Sequence, residues 1–226
     1  MKDKKYEFVP GSEITICRGT KLMRIRALRD FGDVKKGDIG GYIESEENLS
    51  HNGDCWVYND AEVFDNAVVL DNARVFDTAR VFGDAEVFND AKVFGDARVF
   101  DNARVFDTAR VFGDAGVYGD AGVFDTARVY GLVMVYGDAE VKGTEDYIVF
   151  KNWWSSGRYF TWTRSNNMWK VGCFYGTGEE LIKKAYADSE RSGREYERIV
   201  KYVEEFLEGE ERYQKLLESE ELYKDI

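Results

Sequence analysis

From Cys55 to Gly143 the chain repeats itself every six residues. Valine stands at positions 57, 63, 69 and onward without a slip to Val141, fifteen times in all. Two places before each stands alanine, except where Cys55 and Val133 replace it. The consensus is A-[R/E/K]-V-F-[G/D]-[D/N/T]. In an extended strand successive side chains point to opposite faces, so Ala and Val share one side and the charged residue and Phe the other. Arginine cannot be the buried partner in unit after unit, so Ala and Val face inward. The last two positions are turn residues that tolerate unusual backbone angles. Four strand residues and a two-residue corner predict one side of a three-sided prism. Three sides make an 18-residue coil, fifteen units make about five coils, and at roughly 4.8 Å per rung the stack is about 24 Å long.

Other repeat architectures fail on period. Calcium-binding RTX repeats recur at about nine residues, and propellers and leucine-rich repeats at about twenty or more. The predicted interior is narrow, because only Val and Ala line it. Coils of this kind stabilise one another, and their open ends need caps. Before the repeat, Ile14, Ile16, Met23, Ile25 and Ala27 alternate with polar residues as strands do, and Gly40-Gly41 permits a tight approach to the first coil. After it, 147–154, 158–164 and 168–175 read as three strands separated by Ser/Asn/Gly turns. Helices follow over 179–188, 194–208 and 211–223, with Gly193 separating the first two. Three units result: a β cap (1–54), the prism (55–143) and a small α+β unit (144–226).

Repeat units such as VFGDAE (81–86) and VFGDAR (93–98) resemble the bacterial transferase hexapeptide. That resemblance implies a left-handed parallel β-helix, usually trimeric. The hand rests on the resemblance alone, since the usual crossover rule favours a right hand. The segment LMRIRALRDFGDVKKGDIGGYIESEENLSHNGDCWVY (22–58) is similar to a narrower group, the YdcK-like and polymer-forming hexapeptide proteins of bacteria, phages and prophages. It implies a small β cap leading into the repeats and fixes architecture much better than function.

Charge and composition narrow the chemistry. A net charge of −12 argues against duplex nucleic acid as a partner. Cys17, Cys55 and Cys173 are few, far apart and without CxxC spacing, which suits buried thiols in a reducing compartment. With neither a signal-like apolar stretch nor a membrane span, the expectation is a cytoplasmic protein, in the host cytoplasm if phage-encoded. Left-handed β-helix enzymes commonly need histidine, either three on zinc or one as a general base. His51 is the single histidine and sits in the entry turn S-H-N-G-D, so it is the one candidate base for an acyltransferase; a solvated turn residue is the plainer account. No catalytic residue, metal or cofactor is expected. Corner acids such as Asp60, Asp96 and Asp114 are expected to offset the column Arg74, Lys92, Arg110 and Arg128.

Two features stand out. The outward aromatic residues, among them Phe76, Phe94, Phe112, Phe82 and Phe100, form columns too apolar for an isolated surface, unless Arg side chains cover them. Gly116 and Gly122, where other units carry charge, leave a bare patch suited to docking between subunits. The second feature is the cluster Trp153, Trp154, Tyr159, Trp162 and Trp169, interleaved with Arg158, Arg164, Asn166 and Lys170. It fits either a small-domain core or a pocket whose rings stack on a planar ligand while the cations hold its anionic groups. The expected function is therefore non-enzymatic: a homotrimeric scaffold binding a host protein or a small anionic, nucleotide-like ligand. An acyltransferase using His51 and a purely structural stacking protein are the alternatives.

Overall fold

A computed structural model describes residues 4–16 and 19–221. Cys17 and the end of the expected third helix at Tyr223 lie outside them. The chain opens with β1 (Tyr6–Phe8), β2 (Ile14–Thr15), β3 (Lys21–Ala27) and β4 (Ile39–Ile43). Fifteen short strands follow, β5 (Trp56–Val57) to β19 (Glu140–Val141), in three parallel sheets whose partners lie 18 residues apart, as in Glu86↔Arg104 and Lys92↔Arg110. This is the parallel β-helix that the six-residue period predicts. Every valine of the period is closed to solvent, and the alanine column beside it equally so. Each buried Val contributes roughly 1.5 kcal/mol or more of burial.

The fifth position of the repeat explains the corners. All fourteen residues there from Asn59 to Gly137 have φ between 53° and 75°, and all are Asp, Asn or Gly. Only these residues visit that left-handed region cheaply. Their side chains also stitch the coils: the carboxylates of Asp65, Asp77 and Asp101 accept from the N–H of Gly83, Gly95 and Gly119, each one coil on. At the sixth position Asn66, Asn72 and Asn102 donate to Asp84, Asp90 and Asp120. Alternating amide and carboxylate removes the repulsion that a continuous acidic column would carry.

The prism begins earlier than its valine period. β4 pairs in parallel with the second-rung strand, Ile43 opposite Val63, and Leu49 bridges to Val69. These partners are twenty residues apart, whereas Val57 and Val75 are eighteen apart. The entry turn 50–54 takes up the surplus, so a first irregular coil brings the total to about six turns. Gly40 and Gly41 lie in β4, where an added Cβ would sit 2.6 Å from the carbonyl oxygens of Val57 and Ala61. The close approach expected of them is present.

A parallel β-helix has unlike ends. Each rung donates its N–H groups to the rung above, as in Tyr58 N–H to Val75 O and Phe76 N–H to Val93 O. The base therefore presents carbonyls and the top presents N–H groups, and buried orphans of either kind are costly. The caps match. At the base the donors are Lys5 Nζ to Cys55 O (2.9 Å), Asn48 Nδ2 to Asp65 O and Ala67 O (2.9 Å each), and Arg24 Nη1 to Asn59 O (2.7 Å). At the top the acceptors are Thr161 Oγ1 for Met134 N–H (3.1 Å) and Ser165 Oγ for Glu140 N–H (2.8 Å), with Asp146 Oδ2 taking Lys142 N–H (2.7 Å).

The top cap is a four-stranded antiparallel sheet of β20 (Tyr147–Lys151), β21 (Tyr159–Thr163), β22 (Met168–Val171) and β23 (Phe174–Gly176). The single strand expected over 168–175 is two, because Gly172 at φ 56° folds it into a tight hairpin. Two helices pack behind the sheet, α1 (Gly178–Asp188) and α2 (Glu190–Glu221). The break falls at Ser189, with extended backbone, rather than at Gly193. Gly193 lies inside α2 because the Tyr186 ring crosses it, 2.2 Å from where a Cβ would be. The segments expected as separate helices over 194–208 and 211–223 are one continuous helix as far as Glu221.

Candidate functional site

The consensus lapses at three consecutive residues within Gly131-Leu-Val-Met-Val-Tyr136, where Leu replaces the corner acid, Val the alanine and Met the charged residue. Three adjoining grooves meet there, the first on the prism itself and the other two between its last rungs and the C-terminal sheet. The largest, about 520 Å³, runs over Phe100, Gly116, Tyr118, Leu132 and Met134, with Asp96, Arg98 and Asp114 on its rim. The next, about 350 Å³, is walled by Tyr118, Leu132 and Met134 on the prism and by Arg158, Tyr159 and Lys170 on the sheet. The third, about 330 Å³, lies along β17 (Arg128–Gly131), between Tyr130 and Leu132 on one side and Tyr147, Val149 and Tyr159 on the other. Leu132, Tyr130 and Tyr159 are 44%, 50% and 43% exposed, a concentration of open apolar surface unlike the rest of the prism.

One cation of this groove, Lys170, is partly desolvated. Lys170 Nζ lies 4.8 Å from the Tyr136 ring centre and 5.6 Å from that of Tyr118, and burial lowers its pKa. Burial likewise pushes the Tyr118 phenol up to about 12, so it stays a neutral donor. Arg158 is exposed at the rim. The combination is an apolar floor lined by two cations, suited to a ligand with a flat or aliphatic body and an anionic group.

The tryptophan cluster divides on burial. Trp162 and Trp169 are closed to solvent and Trp154 nearly so; with Phe160, Leu181, Tyr196 and Val200 they form the core of the C-terminal unit. Trp162 Nε1 donates to Asn167 Oδ1 (2.8 Å). These rings cannot stack on a ligand without opening that core, so of the two sequence readings the core holds for them. Trp153 is 66% exposed but stands edge-on to Trp154 under Arg191, away from the groove. Arg164 reaches Glu145 O and the Phe206 ring, and Asn166 bonds Asp138 and Tyr175, so both fasten the cap rather than face a cavity. Arg158, Tyr159 and Lys170 are the expected residues that line the groove. Leu132, Met134 and Tyr118 were missed, and the departure of unit 131–136 from consensus was the signal available.

The aromatic columns are also less open than their pattern implies. Phe76, Phe94 and Phe112 stack face to face at 4.8 Å, and Phe82 and Phe100 at 4.9 Å, with planes within 8°. The rung spacing matches the spacing of stacked rings, so each ring covers the next and only edges face water. Arg80 lies over Phe64 and Phe82, and Arg104 over Phe88 and Phe106; among the described residues no cation covers Phe76, Phe94 or Phe112. The bare patch expected at Gly116 is filled, since Met134 Sδ would lie 2.8 Å from a Cβ there. Gly122 is half-covered by the Phe124 ring. The basic column is not offset by corner acids: Arg74 pairs with Asp33 of the cap (3.0 Å), Asp96 bonds Thr78 Oγ1 (2.6 Å), and Lys92, Arg110 and Arg128 make no ion pair among the described residues.

His51 lies at the opposite end. Its Nδ1 accepts from Lys5 N–H (3.3 Å), its ring packs 4.4 Å from that of Tyr6, and Nε2 faces Glu46 at 3.7 Å. Burial lowers its pKa, against the opposing pull of Glu46. It is a packed base-cap residue rather than a solvated turn residue, and it lines none of the grooves above. Among the described residues no helix is long and apolar enough to cross a membrane.

No family model matches the chain. It is similar to an uncharacterized acetyltransferase, YdcK, of Escherichia coli strain K12, at 44% identity over 45 residues. That match covers 18% of this chain and 14% of the relative.

Proposed function

We propose that the chain is a non-enzymatic binding protein: a rigid β-helix that holds, at its C-terminal end, a groove for a small ligand pairing an apolar or planar body with an anionic group. The observation that carries this reading is that Arg158 and Lys170 line the same groove as the apolar side chains of Leu132, Met134, Tyr118 and Tyr159. The prism supplies stiffness, and the groove forms where its consensus residues lapse. Nucleotides are the natural probes, having a flat base and phosphates. In a calorimetric titration with ATP, Leu132→Asp and Arg158→Ala should each weaken binding at least tenfold, a loss of about 1.4 kcal/mol or more, while the thermal melt stays put. Unchanged affinity in both folded variants removes the site.

In solution the expected assembly is a homotrimer, and the column Phe76, Phe94 and Phe112, over which no cation lies among the described residues, is the face we assign to a neighbouring copy. A role in sequestering a host factor in the cytoplasm accords with the phage-like flanking signature. The second reading, an acyltransferase, draws on the similarity to a protein named as an acetyltransferase. It requires His51 as base, and both ring nitrogens of His51 face cap groups, Lys5 N–H and Glu46. Acetyl-CoA turnover that disappears in His51→Ala would establish it over the first.

A further inference from the structure

The base cap holds a second constellation, remote from the groove. Lys5 is closed to solvent, and its Nζ lies 3.2 Å from the Sγ of Cys55, also closed to solvent. The same nitrogen reaches the carbonyls of Cys55 at 2.9 Å and of Asn52 and Gly53 at 3.4 Å, beneath the Phe31 ring. Capping the carbonyls accounts for the lysine but leaves the cysteine unexplained. Thirteen of the fifteen units carry alanine at this inward position, and the thiol occurs only in the unit that meets a buried amine.

We propose that Lys5 and Cys55 form an oxidative cross-link, an N–O–S bridge between Nζ and Sγ. With hydrogen peroxide the balance is R–NH2 + HS–R′ + 2 H2O2 → R–NH–O–S–R′ + 3 H2O. The amine loses one hydrogen and the thiol its proton; nitrogen and sulfur are each oxidised by two electrons, and the two peroxides take up the four. One peroxide oxygen remains in the bridge. The approach of the two atoms supplies the proximity that such a reaction needs. Burial lowers the pKa of Lys5, which favours the neutral amine. One peroxide oxidises the thiol to a sulfenic acid and the other hydroxylates the neutral amine to R–NH–OH, each releasing one water, and the two condense with loss of the third water to R–NH–O–S–R′. The bridge ties β1's flank to the first coil, so it fastens the base cap covalently and restricts the unfolded chain.

The test uses the full chain with Cys17 and Cys173 replaced by serine, treated with hydrogen peroxide, then denatured and digested. The expected product joins the peptides of residues 5 and 55, heavier than their sum by one oxygen and lighter by two hydrogens. Dithiothreitol should dissolve it, Lys5→Arg and Cys55→Ala should lack it, and the linked protein should melt at a higher temperature. Cys55→Ala restores the consensus residue, so its fold serves as the control. A free thiol at Cys55 after treatment, or sulfinic acid with Lys5 unlinked, overturns the proposal.

Discussion

At the residue scale, the corner position obeys a rule that can be broken one side chain at a time. Asp101 has φ 58°, and its carboxylate takes the N–H of Gly119. Asp101→Gly keeps the backbone at ease and loses one exposed hydrogen bond, a cost of about 1 kcal/mol or less. Asp101→Val adds left-handed strain at a branched residue, for a further loss of about 1–2 kcal/mol. Chemical denaturation of the two variants should separate them by that margin, and equal midpoints would refute the corner argument. His51 gives a pH prediction. Burial lowers its pKa below the ordinary 6.5, so the unfolded chain binds the proton more tightly than the folded one. Stability is thus lost as pH falls from 6.5 to the folded value, then levels for this group. His51→Gln should flatten the melting temperature over that interval, leaving the later acid loss from Glu46, whose pKa is lowered chiefly by Lys4.

At the scale of the element, the unlike caps carry the argument. Replacing Thr161 with Val keeps shape and removes the acceptor for Met134 N–H, which should cost about 1–3 kcal/mol and raise amide exchange at the last rung selectively. Uniform exchange along the prism in that variant would contradict it. The interior is equally strict: Ala103→Leu should cost about 1–3 kcal/mol because the prism has no room beside Val105. Much of this was legible in the sequence. A six-residue period with turn residues in two fixed places leaves one solution for the coil, and Gly40-Gly41 announced the close approach. The first irregular coil was not legible, since Ile43 and Leu49 carry its rungs without the alanine-valine signature. The hairpin at Gly172 and the unbroken α2 were missed because each depends on what the segment packs against.

Across the whole molecule, the aromatic cluster that singles out the C-terminal unit in the sequence is mostly the core of that unit. Tryptophan density marked the C-terminal unit, yet a unit this small spends its largest rings on its own core, as Trp162 and Trp169 do. Consequently Trp162→Ala should unfold the cap, at a cost of about 3–5 kcal/mol, instead of testing a ligand site. The groove depends on pairing residues from distant rungs and strands, Tyr118 and Leu132 with Arg158 and Lys170, which no local pattern displays. Hydrogen–deuterium exchange with and without ATP addresses the groove most directly. Protection should concentrate in residues 116–118, 130–134 and 157–172, with the region 46–55 unchanged. Absence of any protection, or protection centred on His51, would contradict a binding site at the junction of prism and cap.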